Sequence, residues 1–175
     1  MSTLHVENLK GLSSGGTANK IIVPSGQTLT APGHVIQVVS DAHTSSSRLF
    51  TTTSTTFSAT GLNVSITPKF NTSKIMIVIS SSANNNDVTN GDQVIYSLYR
   101  DSTNLGHSTN GFGSIRGTSG TAVRGSLHIS YMDSPATTSA VSYELYARTS
   151  NSRTNIEIAG SSGTRHSIIA MEIAQ

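Results

Sequence analysis

The sequence contains no cysteine, and only 11% of its 175 residues are charged. The lack of cysteine excludes disulfide bonds and thiolate metal sites, so stability has to come from packing or from association of subunits. Aromatic residues amount to 5%, and the 11 lysines and arginines are scattered along the chain. A nucleic-acid surface concentrates cations and stacking aromatic rings, so the composition argues against nucleic-acid binding.

Long apolar runs are also missing. No stretch of 18 apolar residues occurs, and residues 1–11 lack the cationic start and apolar core of a secretory signal. We therefore expect neither membrane insertion nor export through a cleavable signal. The length suits one globular domain with an appendage.

Short segments of alternating apolar and polar residues dominate the rest of the chain. Val94–Tyr99, Leu127–Tyr131 and Val141–Tyr146 step with a period of two, the spacing of side chains on a pleated strand. This pattern predicts an all-β protein with an antiparallel, jelly-roll-like β-sandwich. The predicted strands are Val35–Asp41, Asn63–Thr67, Lys74–Ser82, Gln93–Arg100, Ala122–Met132, Ala140–Thr149, Asn155–Ala159 and His166–Ile173, with a minor strand near Phe57 or Leu105.

The first 34 residues differ from the remainder. Glycine and proline interrupt each apolar group before it reaches strand length, so we expect an extended N-terminal arm over residues 1–34 and a knob domain over residues 35–175. Such an arm cannot bury enough apolar area to offset its conformational entropy, and we expect it to anchor the protein on a partner. The predicted anchoring residues are Leu4, Val6, Leu9, Ile21, Ile22 and Val23.

One predicted strand contains a segment that is apolar on both faces. The run Ile75–Ile79 has no polar side chain, which indicates a central strand covered on both faces, a situation common at subunit contacts.

Two polar segments are predicted to be surface loops. Asn84–Asp87 has turn-forming residues, and Thr109–Gly120 holds four glycines. Loops on a rigid scaffold commonly carry recognition. The candidate recognition residues are Asn84, Asn85, Asn86, Asp87, Asn110, Phe112 and Arg116.

No catalytic signature stands out. Gly111–Gly117 has a glycine spacing close to a dinucleotide fingerprint, but no helix is predicted after it, so we expect no bound cofactor. The six histidines lack the spacing of local metal ligands, and we assign no metal site; His128, on the polar face of a strand, is the best single candidate. Tyr99 and Tyr146 share a mixed-polarity face, where they form either a sugar-stacking platform or a core or interface contact.

Several strand–turn segments together resemble known structural proteins. They are Ile66–Ile77, Tyr96–Gly106, Ile129–Tyr143 and Ile168–Ile173, preceded by the connector-like stretches Gly11–Lys20 and Pro24–Thr30. In these segments the chain resembles virion structural proteins of tailed bacteriophages, particularly fibre-like and head-decoration proteins of marine and cyanobacterial phages.

The resemblance implies a non-enzymatic homotrimer on the virion surface, made in the host cytoplasm. The arm would hold a head-surface decoration, cement or short-fibre protein on the major capsid protein or on other virion proteins. The alternative is a tail-fibre or tail-tip module whose loops bind a host-surface glycan. An enzyme acting on polysaccharide is the weakest interpretation, because the nine acidic residues form no cluster in the sequence.

Overall fold

The computed structural model describes residues 14–15, 31–44, 49–86, 91–117, 121–152, 155–159 and 165–175. Within these ranges the regular structure is entirely β, with strands β1 (Val35–Thr44), β2 (Phe50–Thr52), β3 (Ser58–Ile66), β4 (Lys74–Asn85), β5 (Gln93–Arg100), β6 (Thr103–Asn104), β7 (Gly113–Arg116), β8 (Val123–Asp133), β9 (Val141–Thr149), β10 (Ile156–Ile158) and β11 (Arg165–Ile173). The all-β prediction is confirmed, and β5 has the predicted bounds.

The strands form two antiparallel sheets packed face to face. In sheet A the long strands lie in the order β1, β11, β4 and β8, and in sheet B the order is β3, β9, β5 and β7. Consecutive strands therefore cross repeatedly from one sheet to the other, and this order is that of a jelly roll. The predicted jelly-roll-like sandwich is confirmed, with β2 and β10 extending sheet A and β6 extending sheet B.

Period-two alternation places one side of each long strand in the core. On β9, for example, Tyr143 and Leu145 are fully buried, whereas Glu144 between them is half-exposed. Strand β4 lies at the centre of sheet A, with β11 on one edge and β8 on the other. Its inward residues Ile75, Ile77 and Ile79 are completely buried. The prediction that this strand is central is therefore confirmed.

A buried polar cluster joins the two sheets. Arg100 on β5 donates two hydrogen bonds to the Asp133 carboxylate on β8, at 3.0 and 2.8 Å. The Tyr143 hydroxyl on β9 donates a third, at 2.6 Å. Burial, and then the hydrogen bond to Asp133, raises the pKa of Tyr143, so the phenol stays protonated and remains a donor. Three side chains from three strands thus fix how the sheets face each other.

A second buried carboxylate closes one end of the sandwich. Glu172 on β11 accepts hydrogen bonds from the Gln37 amide at 2.6 Å and from the backbone N–H groups of Lys69 and Phe70 at 2.7 and 3.2 Å. Burial alone would raise the pKa of this carboxyl. The hydrogen bonds, together with the Ser73 hydroxyl, outweigh burial and lower the pKa.

Acid is expected to destabilise the fold in two stages. Burial, with a contribution from His43, lowers the pKa of His166, whose Nδ1 lies 3.1 Å from the Ser81 hydroxyl oxygen. The unfolded chain therefore binds a proton at His166 more readily than the folded chain does. The free energy of unfolding decreases as the pH falls below the ordinary histidine pKa of about 6.5. Glu172, with its lowered pKa, adds a second loss as the pH falls below about 4.3 and through the folded-state pKa.

Urea unfolding between about pH 8 and about pH 2 measures both stages. The variant His166→Gln is expected to lose the first stage, whereas His128→Gln, at an exposed position of β8, retains both. A wild-type urea midpoint that stays constant from about pH 7.5 to about pH 5 would contradict the role of His166.

Candidate functional site

The solvent-facing side of sheet A carries a contiguous apolar surface. One row of cross-strand neighbours runs from Val38 through Met171 and Met76 to Met132, and the next row pairs Ile169 with Val78. Val38 is 57% exposed and Met132 is 43% exposed. We call these six side chains the apolar face; it includes three of the four methionines of the chain.

The apolar face is the reverse side of the core strand β4. Both sides of Ile75–Ile79 are apolar, as the sequence shows, but only one side faces sheet B. Met76 and Val78 on the other side are half-exposed, so the predicted coverage of both faces is not supplied within a single copy of the described chain. An exposed apolar patch bordered by polar residues typically marks an interaction site.

The predicted anchoring residues cannot be placed. Leu4, Val6, Leu9, Ile21, Ile22 and Val23 all lie outside the described residues. The last two residues of the predicted arm, Gly33 and His34, lie beside the end of β11. The Gly33 N–H donates to the Ala174 carbonyl at 2.8 Å, and the Ala174 N–H donates to the His34 carbonyl at 2.9 Å.

The turn prediction at Asn84 and Asn85 is wrong. Both residues belong to β4, where Asn84 is 2% exposed and Asn85 is fully buried. The Asn84 amide donates to Glu157 at 3.0 Å, and the Asn85 amide donates to the Asp92 carbonyl. These partners satisfy the asparagine side chains inside the sheet, so the two residues do not present a recognition surface. Asn86 follows the strand and is half-buried, and Asp87 lies outside the described residues.

The glycine-rich segment is only partly a loop. Gly113–Arg116 forms β7, which pairs with β5, so the prediction of a loop over the whole of Thr109–Gly120 is wrong. Gly111 explains the sharp reversal before β7: its φ is +56°, and a Cβ there would lie 2.1 Å from the Tyr96 carbonyl oxygen. Within Gly111–Gly117 the chain forms a turn followed by strand β7.

The other recognition candidates occupy different environments. Asn110 is exposed and Phe112 is half-buried, and both line a cleft of about 400 Å³ with Gln93 and Ile95. The Phe112 ring also packs edge-to-face on Tyr131 inside the sandwich, with centroids 5.3 Å apart. Arg116 is exposed, and its Nε donates to the Gly91 carbonyl at 3.1 Å. The structure thus brings Asn110 and Phe112 together and leaves Arg116 outside this cleft.

A cluster of aromatic rings lies on the solvent-facing side of sheet B. Tyr99 and Tyr146 are stacked, with ring centroids 3.9 Å apart and planes inclined by 17°. Phe57 meets Tyr99 edge-to-face at 6.1 Å. Burial, and then the neighbouring Tyr146, raises the pKa of Tyr99. We call these three half-exposed rings the aromatic platform.

Arg148 fixes the surroundings of the aromatic platform. Its guanidinium carbon lies 5.4 Å from the centroid of the Phe57 ring. The same group donates to the carbonyls of Thr55 and Thr109, which belong to two different loops. A cleft of about 310 Å³ opens beside Phe57 and Arg148.

Sequence reasoning identified part of this cluster. The alternation of side chains along β5 and β9 places Tyr99 and Tyr146 on one face of the sheet. The two rings are stacked in the structure, so they do meet. Phe57 and Arg148 were missed as site residues, because their contact depends on the path of a loop. The apolar signal around Phe57 had indicated only a minor strand.

Metal sites and membrane-spanning helices were also considered in the described part of the chain. Its His, Asp and Glu side chains form no group of three that could hold a metal ion. His128 lies exposed on the outer side of sheet A, where it pairs across the strands with Ser80. The described residues contain no helix long and apolar enough to cross a membrane.

No protein-family model and no curated protein matches this chain. The two outer faces of the sandwich are therefore the candidate functional surfaces.

Proposed function

We propose that this protein is a non-enzymatic structural component of a phage particle, a trimeric head-surface decoration, cement or short-fibre protein anchored by its N-terminal arm. The resemblance of its strand–turn segments supports this assignment. The jelly-roll strand order is compatible with it, because the same architecture is used by viral capsid domains. Fold alone does not define a function, so the proposal depends on a surface feature.

The apolar face of sheet A is the observation that carries the proposal. It presents methionine, valine and isoleucine side chains across β1, β11, β4 and β8. The core of the sandwich is complete without them, since the inward side of the same strands is buried against sheet B. Contact with another molecule would remove this apolar area from water and would stabilise the complex by about 25 cal/mol per Å² of apolar surface buried.

The composition of the apolar face favours sister copies as the occupant. Its two rows contain no charged side chain, so identical faces can meet without repulsion between like charges. Met76, Met132 and Met171 are unbranched and adapt their shape to a neighbour. The threefold symmetry comes from the resemblance, and burial of the face in an assembly would supply the second cover for β4.

Removing the arm is expected to separate assembly from attachment. A variant that lacks residues 1–30 keeps Gly33 and His34, which pair with Ala174, and therefore keeps the described sandwich intact. We expect it to fold and associate like the full chain but to lose binding to particles prepared without this protein. Co-sedimentation with such particles measures attachment, and electron microscopy with an antibody label shows whether the protein lies on the head or on the tail.

The full-length protein is the matched control in the same assay. Equal binding of the truncated and full-length proteins would contradict the anchoring role of the arm. A label that marks no part of the particle would contradict the assignment to the virion.

A further inference from the structure

We propose that the aromatic platform of sheet B binds a neutral pyranose sugar of a polysaccharide. The platform consists of Phe57, Tyr99 and Tyr146, and it lies on the opposite side of the sandwich from the apolar face. The proposal goes beyond the assembly role and does not depend on it. It also gives glycan binding a location different from the predicted Asn84–Asp87 loop.

The position of the rings indicates a surface role rather than a core role. Tyr96, Phe112 and Tyr131 pack against the buried hydrophobic cluster, as aromatic side chains in a sandwich usually do. Tyr99 and Tyr146 instead alternate outward on β5 and β9, and Phe57 joins them from the segment before β3. The rings therefore form a small cluster of their own that remains half-exposed to solvent.

The stacked pair is pre-organised: each ring covers one face of the other, so a ligand would pack on an outer face of the pair. Its two strands are hydrogen-bonded neighbours, and the rings are held at 3.9 Å by their fixed positions in the sheet. Tyrosine supplies rigid contact area at low entropic cost. One face of a pyranose ring is lined by C–H groups, and such a face packs on an aromatic ring while the sugar hydroxyls stay free for hydrogen bonds.

Polar groups lie beside the platform. Tyr99 and Tyr146 each contribute a phenol, and Glu144 is the cross-strand partner of Tyr99. The Glu144 carboxylate is held in place by the Gly61 N–H, which donates to it at 3.0 Å. The Glu144 carboxylate accepts hydrogen bonds from sugar hydroxyls, and its charge offsets that of Arg148 near Phe57, which favours a ligand without net charge.

The neighbouring cleft has room for a further sugar unit. Its volume is about 310 Å³, at the lower end of the range for small-molecule sites. Hydroxyl-bearing residues line most of it, together with Phe57 and Arg148: Thr55, Thr56, Ser108 and Thr109. Because Arg148 holds both bordering loops through their carbonyls, the cleft is shaped before a ligand arrives.

Binding is tested with a panel of neutral tetrasaccharides built from glucose, galactose, mannose or N-acetylglucosamine. Chemical-shift changes in the full-length wild-type protein report the site, and titration gives the Kd. We expect at least one probe to bind with a Kd below about 10 mM and to shift the Tyr99 and Tyr146 resonances. Tyr146→Ala is expected to weaken binding about tenfold or more, whereas Tyr146→Phe, which keeps the ring, stays within about threefold.

Two further variants keep the test decisive. Phe57→Leu removes a platform ring outside the strands, so it tests the site even if Tyr146→Ala fails to fold. Ser126→Ala changes an exposed position of β8 on sheet A, outside the apolar face, and is expected to leave sugar binding unchanged. The absence of binding by the whole panel, or equal affinity of wild type, Tyr146→Ala and Phe57→Leu, would overturn the proposal. So would a platform variant that alters only the oligomeric mass, because the rings would then form a protein contact.

Discussion

The variant Asp133→Ala is expected to lose about 3 kcal/mol of unfolding free energy, because it removes a buried carboxylate that accepts three hydrogen bonds, two of them from a partly exposed guanidinium. Asp133 is 6% exposed and accepts hydrogen bonds from Arg100 and Tyr143. Without the carboxylate, the Arg100 guanidinium keeps its charge but loses its counterion. The Tyr143 hydroxyl, which belongs to a fully buried residue, also loses its acceptor.

Urea denaturation at neutral pH measures this loss. Asp41→Ala is the matched control, because Asp41 also lies within hydrogen-bond distance of a basic side chain, His43, at 2.8 Å but is 43% exposed. We expect that control to change stability by at most about 1 kcal/mol. If both variants unfold at the same urea concentration as the wild type, the buried cluster does not fix the two sheets as described.

Met76→Glu is expected to dissociate the proposed trimer while leaving each copy folded. Met76 lies in the middle of the apolar face, between Met171 and Met132 on the neighbouring strands. An unpaired carboxylate buried at a contact between copies weakens association by about 100-fold to 1,000-fold. In a single copy the same side chain is half-exposed to water, so the substitution has little effect on folding.

Sedimentation and native mass spectrometry follow the mass, with one chain weighing 18.3 kDa. Ser126→Glu adds the same charge to an exposed position of β8 outside the apolar face, and it is expected to retain the wild-type assembly. Circular dichroism checks that both variants keep their β structure. A wild-type protein that sediments as a single chain at tens of micromolar would contradict self-association through this face.

Most of the fold prediction depended on the alternation of apolar and polar residues with a period of two. On β5 the alternation is bounded by polar turn residues at both ends, and its bounds were predicted without error. The prediction failed where residues typical of turns or loops lie within strands. Asn84 and Asn85 are typical turn residues, yet neighbouring residues satisfy their amides, and β7, with four residues, is too short to show an alternation.

The functional surfaces were predictable only in part. Strand parity placed Tyr99 and Tyr146 on one face, because a side chain on a strand points the opposite way from its neighbours. The contact of Phe57 with Arg148 depends on how a loop crosses the sheet, which local sequence does not encode. Likewise, Ile75–Ile79 indicated two apolar sides, but which side stays open follows from the packing of two distant sheets.

The pairing of β1 with β11 has a consequence for biosynthesis. The first strand of the sandwich lies beside the last, with Val39 opposite Ala170, so sheet A stays incomplete until translation reaches the end of the domain. At ordinary elongation rates of about 5–20 residues per second, the intervening chain takes roughly 6–26 s to appear. During that interval β4 emerges without β8 and β11 to protect its edges, so we expect the nascent chain to bind chaperones.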